Sequence, residues 1–135
     1  MINKDIIKIA SKTKYVGLKK VYTHKSTAKN PICGDLIKIE LIANSIKIKS
    51  MRYETESCIL CEASASLLAK KIKDFNLKDL KKTYAKFLDI KKTKKINLPT
   101  RFREFNKILN KKSLNRINCV ILPIEALFKA FRVNL

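Results

Sequence analysis

Three cysteines far apart in this chain stand where secondary-structure elements begin, and that placement limits how it can fold. Cys33 lies in the turn-like run Asn30-Pro31-Ile32-Cys33-Gly34-Asp35, Cys58 precedes a small-residue helical stretch, and Cys119 precedes a C-terminal apolar one. The thiolate is the nucleophilic and metal-binding form of cysteine, and the positive end of a helix dipole lowers a thiol pKa. Gly34 lets the backbone turn and leaves the neighbourhood uncrowded, so that Asp35 can turn its carboxylate toward the same centre. Three thiolates and one carboxylate are a four-ligand set suited to tetrahedral zinc or to a [2Fe–2S] cluster. Spacing alone leaves a plainer reading open. Cysteine is a common small core residue, and no paired Cys-x-x-Cys motifs announce a zinc ribbon.

The hydrophobic period changes along the chain. Ile2, Ile6, Ile9 and Ala10 predict a short amphipathic helix over 2–12, followed by a polar loop over 13–31. The apolar run 36–43, the turn residues Asn44-Ser45 and the alternating Ile46-Lys47-Ile48-Lys49 predict a β-hairpin over about 36–53. Ala63 to Ile72 reads as a helix with Cys58 and Cys61 at its mouth. Phe75 to Asp89 reads as a second, 91–99 as a basic linker, Phe102 to Leu109 as a third, and Leu122 to Val133 as a last. Pro123 is expected in the first turn of that last helix, where its missing N–H has no partner to lose. The fold class is therefore α+β, a small antiparallel sheet packed on one side against several helices.

At 135 residues the chain has the size of one ordinary domain. No apolar run approaches the ~20 residues that span a bilayer, so a membrane is not an expected partner. The start Met1-Ile2-Asn3-Lys4-Asp5 lacks the features of a signal peptide, which points to a reducing cytoplasm and to cysteines used as ligands or reactive thiols. The formal net charge is +20. Residues 70–116 contribute 17 Lys/Arg against Asp74, Asp79, Asp89 and Glu104. Such a stripe attracts nucleic acid or an acidic partner. The composition also follows from Lys, Ile and Asn, all with A/T-rich codons, and only five of the basic residues are Arg, the better phosphate and base reader. A solvated basic surface is the favoured reading, and nucleic acid is not the expected partner.

The stretches Asn30-Pro31-x-Cys33-Gly34-Asp35, Cys58-x-x-x-x-Ala63-Ser64-Ala65-Ser66-Leu67 and Arg116-Ile117-x-Cys119-x-x-Leu122-x-x-x-Ala126-Leu127 together resemble the NifU/IscU-type iron–sulfur assembly scaffolds. The long gap from Cys58 to Cys119, and Asn118 where IscU-type scaffolds carry a histidine, make the chain most similar to the SufU type. Two local differences stand out. Tyr53-Glu54-Thr55-Glu56-Ser57 replaces the glycines usual before the second cysteine, and Cys61 replaces a serine.

The resemblance implies one NifU N-terminal or SufU-like domain over 1–135. It also implies an assembly scaffold rather than an enzyme, with sulfurtransferase-like activity only alongside a cysteine desulfurase. Cys33, Asp35, Cys58 and Cys119 match the family's ligands to a transient cluster or to zinc or iron, and Cys33 matches the persulfide acceptor. Expected partners are the desulfurase and, downstream, recipient apo-proteins or further iron–sulfur machinery.

Cys61 is a candidate additional ligand or resolving thiol, weighed against a serine-like filler. Arg116 is read either as steering a persulfide or as a surface salt bridge, His24 as a loop histidine, and Phe102, Phe105, Phe128 and Phe131 as core. The competing function is a structural zinc protein that binds nucleic acid through 70–116. Salt-sensitive DNA or RNA binding uncoupled from any desulfurase distinguishes it.

Overall fold

The computed structural model describes residues 4–32 and 34–132. Cys33 therefore lies outside the described residues. Four strands run β1 (His24–Lys29), β2 (Leu36–Ala43), β3 (Lys47–Glu56) and β4 (Phe75–Asn76), each antiparallel to the next, in the spatial order β1-β2-β3-β4. Among the described residues four α-helices accompany them: α1 (Lys4–Ala10), α2 (Ile59–Lys71), α3 (Leu80–Thr93) and α4 (Ile117–Ala130). The architecture is α+β.

Alternation decides the central hairpin. Ile37, Ile39 and Leu41 of β2 and Ile48, Met51 and Tyr53 of β3 are buried, while Lys38, Lys49 and Glu54 face out. Pairing Ile39 with Tyr53 and Leu41 with Met51 sets the register, since a one-residue slip would turn the apolar set to solvent. Asn44 closes the turn by accepting from the N–H groups of Ile46 and Lys47, both at 2.8 Å. The loop before β1 crosses the outer face. There Glu40, though charged, is 6% exposed because the N–H groups of Lys19 and Lys20 donate to its carboxylate.

Helix α2 packs against α1, α4, β3 and the 3₁₀ segment Thr100–Lys107. Every residue from Leu60 to Ala69 except the half-buried Glu62 is buried, the pattern of a helix surrounded on nearly all sides rather than one with a broad wet face. Small side chains allow this approach. The Ser64 hydroxyl, 0% exposed, donates to the Val120 carbonyl of α4 at 2.5 Å. Phe87 of α3 meets Phe102 and Phe105 edge-on, with ring centroids 5.8 and 5.5 Å apart.

The structure corrects five sequence expectations. The polar loop over 13–31 contains strand β1, whose inward positions are His24, Ser26 and Ala28, so polar and small residues conceal the alternation. Ser26 is held by a hydrogen bond to the Ala126 carbonyl of α4, and the His24 ring lies 4.3 Å from that of Phe131. Residues 75–79 form β4 and a 3₁₀ turn instead of helix, because Phe75 and Asn76 pair with Ile48 and Lys47. Helix α3 runs into the expected linker until Lys94, in the left-handed region at φ 62°, ends it. Helix α4 starts at Ile117, so Pro123 sits in its interior and Cys119 within its first turn. Phe102–Leu109 is largely 3₁₀.

Ser64→Ala should lower the unfolding free energy by about 1 kcal/mol through the lost hydrogen bond. Ser64→Val should cost more, roughly 1–3 kcal/mol, by overfilling the α2–α4 contact. Urea unfolding measures both, and a neutral Ser64→Val would contradict the tight packing described.

Candidate thiol and metal site

The site is built where a tight turn meets the starts of two helices. Asn30 N–H donates to the Asp35 carbonyl and Gly34 N–H to the Asn30 carbonyl, each at 2.8 Å. The Asn30 side chain also accepts from Ile32 N–H at 3.1 Å. Gly34 adopts φ +76°, a conformation that costs an L side chain energy. A Cβ there would meet nothing within 4 Å. The glycine is thus needed for the turn and not for room, a narrower role than the sequence suggested.

Asp35 emerges from this turn 5% exposed. Its Oδ1 accepts the Cys58 N–H at 3.1 Å, tying the turn to the start of α2. Cys58 is the N-cap residue of α2 in extended conformation, and its side chain makes no capping hydrogen bond. The thiol is left for other partners. Strand β3 runs regularly to Glu56, so the chain reaches Cys58 on ordinary backbone without the glycines usual there. Cys119, 5% exposed, comes from the first turn of α4.

One ligand atom from each of Asp35, Cys58 and Cys119 lies within 4.8 Å of the others. Among the described residues this is the group of His, Cys, Asp and Glu side chains close enough to share a metal ion. Among the described residues Asp35 Oδ2 is buried without a hydrogen-bond partner, although such oxygens nearly always have one. A carboxylate oxygen and two sulfurs form a donor set compatible with zinc or an iron–sulfur cluster. Cys61 lies one turn into α2, 0% exposed within the core. His24 stands on β1 against Phe131.

Arg116 is where sequence reading left a choice. Its Nη2 lies 3.8 Å from Cys119 Sγ, and among the described residues it makes no ion pair with a carboxylate. Partial burial opposes its charge, but contact with Cys119 and the charges of Cys58, Cys119 and Asp35 hold the guanidinium above its usual pKa. Burial pushes the Cys119 thiol far up. Its hydrogen bond to Cys58 and the Cys58 charge act the same way, against the pull of Arg116. Asp35, Cys58, Cys119 and Arg116 thus share one small volume, in which a cation beside the acidic groups favours their charged forms. The signals for Arg116 in the sequence were its place in the motif Arg116-Ile117-x-Cys119 and its position three residues before Cys119.

A family model for the NifU-like N-terminal domain matches residues 2–104. The chain belongs to that family. The matched segment of this NifU-like chain includes Asp35 and Cys58, and Cys119 follows it. The fold is shared with the N-terminal part of a nitrogen-fixing NifU-like protein from Brucella abortus. That match has a TM-score of 0.85 at 18% identity, over 96% of this chain and 91% of that one. It is shared as well with a candidate iron–sulfur cluster assembly scaffold for the SUF system from Fervidobacterium islandicum AW-1, with a TM-score of 0.83 at 17% identity, over 96% and 95% of the two chains. A third structure, of a protein described as hypothetical, matches with a TM-score of 0.68 at 20% identity over 96% and 97%. No curated protein matches the sequence significantly. Among the described residues no helix is long and apolar enough to cross a membrane.

Gly34→Ala should destabilise this NifU-like chain by about 1–2 kcal/mol, the cost of forcing a Cβ into the left-handed region. Gly34→Asn should cost less, because asparagine tolerates that region. Equal urea midpoints for Gly34→Ala and the parent chain would show that the turn does not require its glycine.

Proposed function

We propose that this NifU-like chain is an iron–sulfur cluster assembly scaffold that receives sulfur from a cysteine desulfurase and passes its cargo to recipient apo-proteins. The observation that carries the reading is the convergence of Asp35, Cys58 and Cys119 around a buried carboxylate oxygen that has no partner among the described residues. Membership of the NifU-like family supports it, as does likeness in fold to the SUF-system scaffold candidate. Cys33, two residues before Asp35, is proposed as the fourth ligand. The cluster is cargo, and zinc is the alternative occupant of the same donors.

Each group has a distinct task in this reading. Cys58 and Cys119 are the persistent soft donors. Asp35 is the exchangeable one, because carboxylate oxygen is a harder ligand held less tightly by a sulfur-rich centre. Arg116 offsets the accumulated negative charge beside Cys119. Cys33 is the sulfur acceptor. Its thiolate attacks the terminal sulfur of the desulfurase persulfide, forming a new S–S bond on Cys33 as the old one breaks. The desulfurase cysteine leaves as thiolate, the terminal sulfur keeps its proton, and no external oxidant or reductant is consumed. The chain itself is not proposed to turn over a substrate, and a cytoplasmic setting fits reduced thiols.

Protein purified without oxygen should contain iron with acid-labile sulfide, or zinc, and Cys58→Ser or Cys119→Ser should lose most of it. Metal-free wild-type protein that neither binds zinc nor accepts a cluster would overturn the proposal. After incubation with a cysteine desulfurase and cysteine, mass spectrometry should find persulfide on the wild type and little on Cys33→Ser. Full labelling of Cys33→Ser would move the acceptor to another cysteine. Asp35→Ala should slow release of bound metal to a chelator. Faster release would make Asp35 a stabilising ligand instead.

A further inference from the structure

A second cavity, sharing no residue with the thiol site, lies between α3 and the 3₁₀ segment Thr100–Lys107. It measures about 260 Å³, and its walls include Lys82, Lys86, Arg101, Thr83 and Asp79, over a floor with Phe75 and Phe102. Lys82 and Lys86 are one helical turn apart, on the same side of α3. Among the described residues neither makes a salt bridge.

Arg101 is fixed before any ligand arrives. Its Nη1 donates to the carbonyls of Lys71 and Lys73 at 3.1 and 2.9 Å, and its guanidinium lies 5.5 Å from the centre of the Phe75 ring. The remaining donors, Nε and Nη2, have no partner among the described residues. A guanidinium held this way loses little freedom on binding an anion and offers it a fork of parallel N–H groups.

Thr83 supplies an independent observation. The residue is 8% exposed and lines the cavity, and among the described residues its hydroxyl makes no hydrogen bond, so it is free to donate to a ligand. The cavity also lies beside the first turn of α3, a 14-residue helix whose positive end favours anions. Asp79 offsets one of the three positive charges. A protonated phosphate can donate its P–OH to that carboxylate, whereas sulfate has no proton to give at neutral pH.

We propose that this cleft binds a phosphate group, with Lys82, Lys86 and Arg101 as its cationic donors, Thr83 as a neutral donor, and Asp79 as acceptor for the phosphate hydroxyl. The group comes from inorganic phosphate or from a nucleotide, and titrations separate the two. A nucleic-acid backbone is the competing occupant, but the aromatic floor offers no stacking platform, since Phe75 and Phe102 are 5% and 1% exposed.

Calorimetric titration of the full chain with inorganic phosphate, ATP, sulfate and a short single-stranded RNA tests this. Phosphate should bind saturably and more tightly than sulfate. Lys82→Gln/Lys86→Gln should weaken it about tenfold, and Thr83→Val should weaken it several-fold without altering charge. Lys91→Gln/Lys92→Gln removes equal charge outside the cavity and should leave phosphate binding unchanged. Tighter binding of ATP than of phosphate would assign a nucleotide source, and equal binding a free phosphate. Equal loss in both double variants would overturn the proposal in favour of diffuse charge. So would binding of RNA alone, or no saturation by phosphate in folded wild-type protein.

Discussion

A helix buried along nearly its whole circumference must be thin, and α2 meets that condition with Ala63, Ser64, Ala65, Ser66 and Ala69. The rest of the structure is arranged around it. The sheet lies against one side through β3, α1 and α4 take others, and the 3₁₀ segment Thr100–Lys107 closes the remainder. Lys70 and Lys71 bond that segment through Glu104, both at 3.2 Å. A helix gripped in this way has little freedom to tilt or slide, so its N-cap residue, Cys58, is held in place. The Cys58 N–H donates to Asp35, and the position of the thiol site follows from the packing of α2.

How much could be read in the sequence depended on where polar groups were used. The hairpin was legible because 46–49 alternates strictly and each lysine faces water. Strand β1 was hidden because its inward residues are a histidine against Phe131, a serine bonded to the Ala126 carbonyl and a small alanine, which leave no apolar alternation to read. Residues 75–79 carry helical spacing, but edge pairing with β3 overrides it, a tertiary effect that local pattern does not encode. The α+β class and the NifU-like family were both readable, the first from the change of period and the second from the motifs around Asp35, Cys58 and Cys119. The contact of Arg116 with Cys119 depends on the start of α4 at Ile117, five residues earlier than apolar periodicity placed it.

The charge of +20 divides into parts with different surroundings. Much of it is solvated lysine, which raises solubility and speeds encounter with acidic surfaces at low salt. Arg52 is structural, donating to the carbonyls of Gly17 and Val16 and fastening the loop over the sheet. Arg116 faces thiols and Arg101 lines a cleft. Of the arginines other than Arg132, only Arg103 has no assigned contact, so this residue type is concentrated where direction matters, while lysine covers the outside.

Pro123 carries one more consequence. It has no N–H to return to the Cys119 carbonyl, four residues earlier on α4. The turn that bears the thiol is therefore missing a strut, while one residue further on the Val120 carbonyl is pinned by Ser64. Compliance and rigidity lie side by side on the same helix. If the proposed centre gains or loses a ligand, the place on α4 where Cys119 can give way is this unstrutted turn and not the pinned one beside it.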